Sequence, residues 1–270
     1  MIKTGSQNKI AQFFVKNNTY IIFLILFLAC SIASDKFFSV LNLRNILLQQ
    51  CAPILVSIGM LMVVLTGGID LSVGSVMAVG SSLTAVLIVS YGLSWPLASA
   101  VSIIVGAIMG TITGLLVAYL NFQGFVASLA MMTIARGIAY TITNATPINL
   151  SKATLHVLSS GQYSYPIIWI TLLLIIVFTV ICNFTSYGRI VIATGSNSEA
   201  VRLSGIREKR YILSVYIISA ILASCAGIFL AARSGVGNST VAEGQELDAI
   251  AACVIGGASL AGGSGSVPRT

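Results

Sequence analysis

Between Thr66 and Ser75 the chain reads Thr-Gly-Gly-Ile-Asp-Leu-Ser-Val-Gly-Ser, which sets a single carboxylate between two apolar runs. Two chemistries are open to a carboxylate placed there. In hydrocarbon its charge is costly, so Asp70 is by default a candidate for the lining of a solute pathway. As a structural group it can accept the free N–H groups at the start of the following helix, while Gly67 and Gly68 release the helix before it. The two readings are compatible, because non-helical backbone at membrane depth survives only against protein or a watery cavity. Ser72, Ser75, Ser81 and Ser82 could then line a polar path. Equally, with Gly74 and Gly80, they would let helices pack closely.

A second constellation, Ser196-Asn197-Ser198-Glu199-Ala200-Val201-Arg202-Leu203-Ser204-Gly205, carries the start and stop signals of a short helix. Ser196 and Glu199 have capping-box spacing, and Gly205 suits the left-handed residue past a helix end. A helix this short does not fold alone. It needs a surface to lie on, either its own bundle or a groove of a partner protein. Glu243, Glu246 and Asp248 form an acidic cluster that reads as an exposed loop favouring the N-terminus of the next helix. Arg136 either faces the bundle interior or snorkels to an interface, and Arg233 reads as an interfacial anchor. His156 stands alone in a loop, and the five cysteines (Cys30, Cys51, Cys182, Cys225, Cys253) are too dispersed for a metal site and read as packed thiols. Leu28-Ala29-Cys30 is only a faint match to a lipoprotein cleavage site. The chain has no Gly-x-x-x-x-Gly-Lys-Ser/Thr phosphate loop, no Gly-x-Ser-x-Gly elbow and no His-Glu-x-x-His, so no cofactor, ATP or familiar hydrolase site is expected.

The elements that must hold these residues are membrane helices. Of 270 residues 57% are hydrophobic and only 8% charged, where soluble domains carry about 25% charge. Apolar runs approaching the roughly 20 residues of a bilayer-crossing helix recur along the chain, and their lack of period-two alternation excludes a barrel. Hydropathy places spans at Tyr20–Ala33, Cys51–Thr66, Leu71–Ser90, Pro96–Leu120, Phe125–Thr143, Pro166–Phe184 and Tyr211–Ala232. An ambiguous one near Leu247–Leu260 brings the count to about eight. The expected fold is therefore an all-α, polytopic transmembrane bundle with broken helices, in a single domain. Lys3, Lys9 and Lys16 put the N-terminal tail in the cytoplasm, and alternation puts Arg189, Arg202, Arg207, Lys209 and Arg210 on the same side. The segment from Asn144 to Tyr165, placed outside, holds only Lys152 and His156. The net charge of +7 thus reports topology, with no nucleic-acid partner. Phe37, Phe38 and Leu41-Asn42-Leu43, between the first two spans, are expected to lie along the membrane surface.

Four pieces, Thr66–Ser75, Met132–Ala139, Gly195–Gly205 and Glu246–Gly263, are in order and spacing similar to the membrane subunits of ribose-type ABC importers. That family also handles xylose, galactofuranose and the furanosyl autoinducer. The resemblance implies a nonenzymatic permease in the bacterial inner membrane that pairs with a second permease subunit. It further implies ATP-binding subunits on the cytoplasmic face and sugar delivered by a periplasmic or lipid-anchored binding protein. Carried over, Ser196–Gly205 is the coupling helix to the ATPase, with Val201 and Leu203 as apolar contacts and Arg202 as a rim charge. The Asp70 motif lies beside the translocation pathway. Family members run on past the position of Thr270 with further spans, so this bundle is expected to lack the last ones. Without the resemblance, an ion-coupled carrier or channel is the leading rival, since it too would break a helix around a carboxylate. Such a carrier should hold paired intramembrane charges, and it leaves the capped cytoplasmic helix unexplained.

Overall fold

The computed structural model describes residues 18–150 and 166–270. Lys3, Lys9, Lys16, Lys152 and His156 lie outside the described residues. The chain divides into two compact units, Met1–Leu47 and Leu48–Thr270.

In the first unit, helix α1 (Asn18–Ala33) leads through a short turn into α2 (Val40–Leu65). Phe27 meets the edges of Phe37 and Phe38 at centroid distances of 5.1 and 5.5 Å. The Ser39 hydroxyl accepts the Asn42 N–H at 3.2 Å, a local cap that starts α2 at Val40. Leu41–Leu43 are therefore the first turn of a long helix and not a separate surface piece, and the second span begins well before Cys51. Asn42, Arg44, Asn45, Gln49 and Gln50 dilute the hydropathy of those turns without breaking the helix.

In the second unit, α2 continues and is followed by α3 (Val73–Val89), α4 (Trp95–Ala118), α5 (Gly124–Thr143), α6 (Pro166–Phe184), α7 (Ser186–Leu203), α8 (Glu208–Ser234) and α9 (Gln245–Ile255). Two-residue strands β1 (Ile148–Asn149) and β2 (Val236–Gly237) pair antiparallel and tie the segments that follow α5 and α8. Among the described residues five helices are long and apolar enough to cross a membrane, namely α2, α4, α5, α6 and α8. Phe23–Ala33 and α3 are apolar but shorter. The fold is thus the expected all-α polytopic bundle of a multi-pass membrane protein. The candidate span near Leu247–Leu260 is not a membrane-length helix: α9 has 11 residues, about 16 Å of helix. It stops where Gly257 turns left-handed (φ +88°).

Helix α8 is the hub, packed along both α3 and α4. Small residues permit this, as expected where lipid offers no hydrophobic drive between helices. A Cβ on Gly110 of α4 would sit 2.6 Å from the Tyr216 carbonyl oxygen, and one on Gly80 of α3 would sit 2.6 Å from that of Ser224. The core they enclose includes Leu55, Met60, Leu61, Met77 and Tyr216, all essentially fully buried.

Candidate functional site

Helix α2 ends in a left-handed glycine turn. Gly67 (φ +78°) donates its N–H to the Val64 carbonyl at 2.9 Å, and Gly68 donates to Val63 at 3.2 Å. These are the paired bonds that satisfy the last carbonyls of a helix. The chain then stays non-helical to Ser72 before α3 begins. Asp70 does not cap α3. Ser72 occupies the N-cap but its side chain makes no capping bond, and Asp70 lies two residues too early to reach past it. Its Oδ1 accepts instead from the Ser72 N–H at 3.0 Å and the Ser72 hydroxyl at 2.6 Å, and its Oδ2 accepts from Ser219 Oγ of α8 at 2.9 Å. The carboxylate is 2% exposed, and every partner is neutral.

The rest of this break is also satisfied by side chains from distant helices. Ser128 Oγ of α5 accepts the Leu71 N–H at 3.0 Å and faces the Ile69 carbonyl at 3.3 Å. The buried Tyr216 hydroxyl points at the same carbonyl from 3.4 Å. Unsatisfied backbone is not tolerated in hydrocarbon, and side chains of α5 and α8 supply what the helical ladder cannot. A Cβ on Gly59 of α2 would lie 3.0 Å from Ser219 Cα. Asp70 is therefore level with a point about 9 Å before the end of α2, inside the bundle.

A second break follows β2. Gly237 packs against Ser81 and Ala85 of α3, while the Ala242 carbonyl and Glu246 lie against Gly74 at its foot. Residues 238–244 thus run beside α3 for about 16 Å without forming a helix, and α9 carries on from there. Asn238 Oδ1 accepts from the N–H and hydroxyl of Thr240, both at 3.0 Å. Arg136 of α5 faces the interior: its Nη1 donates to the Ser239 and Val241 carbonyls at 2.7 and 2.9 Å. Ala242 holds φ +63°, strained for a residue with a Cβ. Two cavities flank the start of α9. One, of about 620 Å³, is lined by Gln50, Ser57, Ile175, Gln245 and Asp248. The other, of about 480 Å³, is lined by Ser75, Met132, Thr133, Arg136, Glu243 and Glu246. Glu246 and Asp248 lie in the first turn of α9, where the helix dipole favours acids.

Ser196–Gly205 lies at the end of the bundle where α2 terminates. Helix α7 kinks at Asn197 (φ −161°, ψ 91°), whose Oδ1 accepts the Ala200 N–H at 2.9 Å. Asn197, not Ser196, is therefore the cap, and the Ser196 hydroxyl is already committed to the Ile192 carbonyl at 3.1 Å. Gly205 is left-handed (φ +80°) and closes the helix, with its N–H on the Arg202 carbonyl and that of Ile206 on Val201. Glu199 and Arg202 pair at 2.6 Å on the exposed face. Val201 is buried, so it cannot serve as an outward apolar contact, whereas Leu203 is 79% exposed. Burial pushes the Tyr187 phenol up, and its neutral hydroxyl bonds Ser214 Oγ at 2.6 Å, fastening the root of α7 to α8.

The kink of α7 touches the first break through glycine backbone. Gly263 donates to the Leu65 carbonyl at 3.0 Å. A Cβ on Gly195 would collide with that same carbonyl and lie 2.7 Å from Gly263 N, and one on Gly262 would lie 2.8 Å from Gly67 N. The sequence-derived set thus falls into three groups. Gly67, Gly68, Asp70 and Ser72 form one break, and Ser75 shares a cavity with Arg136. Ser196, Glu199, Arg202, Leu203 and Gly205 form the kinked helix at the bundle end. Ser128, Tyr216 and Ser219 escaped sequence reading. Tyr216 and Ser219 are three residues apart on one helix face, a pairing that offered a signal.

Comparison with known proteins identifies the family. Residues 42–267 match the family described as branched-chain amino acid transport system / permease component. The ribose import permease protein RbsC of Escherichia coli K12 is 37% identical over 95% of this chain and 81% of its own length. The homonymous protein of Haemophilus influenzae is 36% identical over 100% and 85%. The L-arabinose transport system permease protein AraH of Escherichia coli K12 is 33% identical over 92% and 76%. No solved structure matches. A nonenzymatic, multi-pass protein with two non-helical segments packed inside its helical bundle and sharing this alignment over most of its length, the chain belongs to the permease-component family.

Proposed function

We propose that this chain is the membrane-spanning permease subunit of an ATP-binding-cassette sugar importer. In this reading it forms one permease domain in the bacterial inner membrane, with the N-terminal tail and Ser186–Arg210 cytoplasmic. The observation that carries the reading is the kinked, doubly capped helix ending at Gly205, which turns Val201 inward and leaves Leu203 bare. An exposed leucine on a rigid two-turn helix suits a hydrophobic groove on another protein. The chain has no phosphate loop of its own, so its energy comes from a partner or an ion gradient, and in this reading an ATP-binding subunit supplies it. The relatives named for ribose and arabinose make a pentose the first solute to try. A second permease subunit and a periplasmic or lipid-anchored sugar-binding protein complete the assembly, with membrane lipid around it.

Inverted vesicles or proteoliposomes holding the chain with its gene-neighbour subunits should move labelled D-ribose or L-arabinose only with ATP and indifferently to ionophores. Uptake that persists without ATP and collapses with the ion gradient would instead make the protein a secondary carrier.

A further inference from the structure

We propose that the cavity walled by Ser75, Arg136, Glu243 and Glu246 is a subsite for a neutral polyhydroxylated molecule of pentose or hexose size. This rests on the import reading and assigns the place where the solute is held. The cavity measures about 480 Å³, within the roughly 300–1,000 Å³ of small-molecule sites. Ser75 is 1% exposed, lines the cavity and makes no hydrogen bond to any described residue. A buried hydroxyl left that way calls for a partner, and the cavity is where one fits. Arg136 is held through Nη1 on two carbonyls of the second break, which fixes its guanidinium and keeps further N–H donors for the cavity. Glu243 and Glu246 share this space with Arg136 yet form no ion pair with it, since the one ion pair among the described residues is Glu199 with Arg202.

Both signs of charge and an idle hydroxyl therefore face one space without satisfying one another. Sugar hydroxyls answer all of them, donating to the carboxylates and accepting from the guanidinium and Ser75. An anion would meet two carboxylates, and a simple cation would be repelled by the Arg136 guanidinium and leave its donors unanswered. Met132 in the same wall offers an apolar surface for the C–H face of a sugar ring.

The test uses the full chain assembled with its gene-neighbour subunits in nanodiscs, with the exposed Cys30 changed to Ser. Glu243→Cys is alkylated with a maleimide in the presence of D-ribose, L-arabinose or tetramethylammonium, and Asp248→Cys, on the other cavity, is treated in parallel. Uptake is measured on the chain without these two changes. The pentoses should slow alkylation at Glu243→Cys by about threefold or more at saturation, should not slow it at Asp248→Cys, and should lose that effect when Glu246→Gln is added. Uptake of a pentose with no protection at Glu243→Cys, or protection by tetramethylammonium alone, overturns the subsite and leaves the import reading standing. Absence of both uptake and protection overturns the import reading and the subsite together.

Discussion

At the residue scale, Asp70 stitches two elements together. Its two oxygens hold the Ser72 backbone, the Ser72 hydroxyl and the Ser219 hydroxyl of α8. Asp70→Ala strands those donors in a dry site, at about 1–3 kcal/mol for each group left unmade. Asp70→Asn keeps one acceptor for Ser72 and turns an amide toward Ser219, whose oxygen can accept it, so its loss should be about 1 kcal/mol. Thermal unfolding of the detergent-solubilised variants should rank wild type above Asn above Ala. Equal, complete loss for both would mean that the site requires the charge itself. The carboxylate and its glycines were legible in the sequence because Thr-Gly-Gly-Ile-Asp interrupts an apolar run. Its partners were harder to read: Ser128 and Ser219 lie 57 and 149 residues from their contacts, and only the spacing of Ser219 from Tyr216 marked a shared face.

At the scale of elements, two non-helical segments inside a helical bundle give the molecule its polar interior, and glycine backbone joins one of them to the kink of α7. Gly195 lies directly against the Leu65 carbonyl at the end of α2, two residues from Gly67. Gly195→Ala would drive a methyl into that carbonyl, and backbone cannot yield as a side-chain tip does. Pentose uptake should fall to near background while the ATP-binding subunit still co-purifies, because the Leu203 face is untouched. Retained uptake would show that the junction transmits nothing. Sequence reading found the first break through its glycines and read Glu243, Glu246 and Asp248 as an exposed loop whose acids favour the next helix, as Glu246 and Asp248 do at the start of α9, but it did not place that loop beside α3. Residues 238–244 hold no apolar run for hydropathy to see, and their place beside α3 depends on the β1–β2 pairing and the Arg136 bonds. The cap at Asn197 was missed because Ser196 carries the same signal one position earlier.

At the scale of the whole molecule, the bundle type was legible because composition and hydropathy leave little else. The span count was not, since Phe23–Ala33, α3 and α9 are apolar helices shorter than a bilayer crossing and hydropathy alone does not sort them from the five long ones. The import reading fixes an orientation that cysteine labelling checks. In cells carrying the Cys30→Ser chain, Thr146→Cys should react with a membrane-impermeant maleimide from outside, and Ser198→Cys should react only after permeabilisation; both residues are exposed. The reverse pattern would invert the assigned topology.

The central claim is that Leu203 anchors this chain to an ATP-binding partner, and co-purification of the tagged chain with its gene-neighbour products tests it most directly. Recovery of an ATP-binding subunit with the wild-type chain, reduced about tenfold or more by Leu203→Glu, as loss of one interface hot spot would do, is the predicted result. The same membrane insertion is expected in both. Equal recovery with Leu203→Glu, or no ATP-binding protein with either chain, would contradict the account.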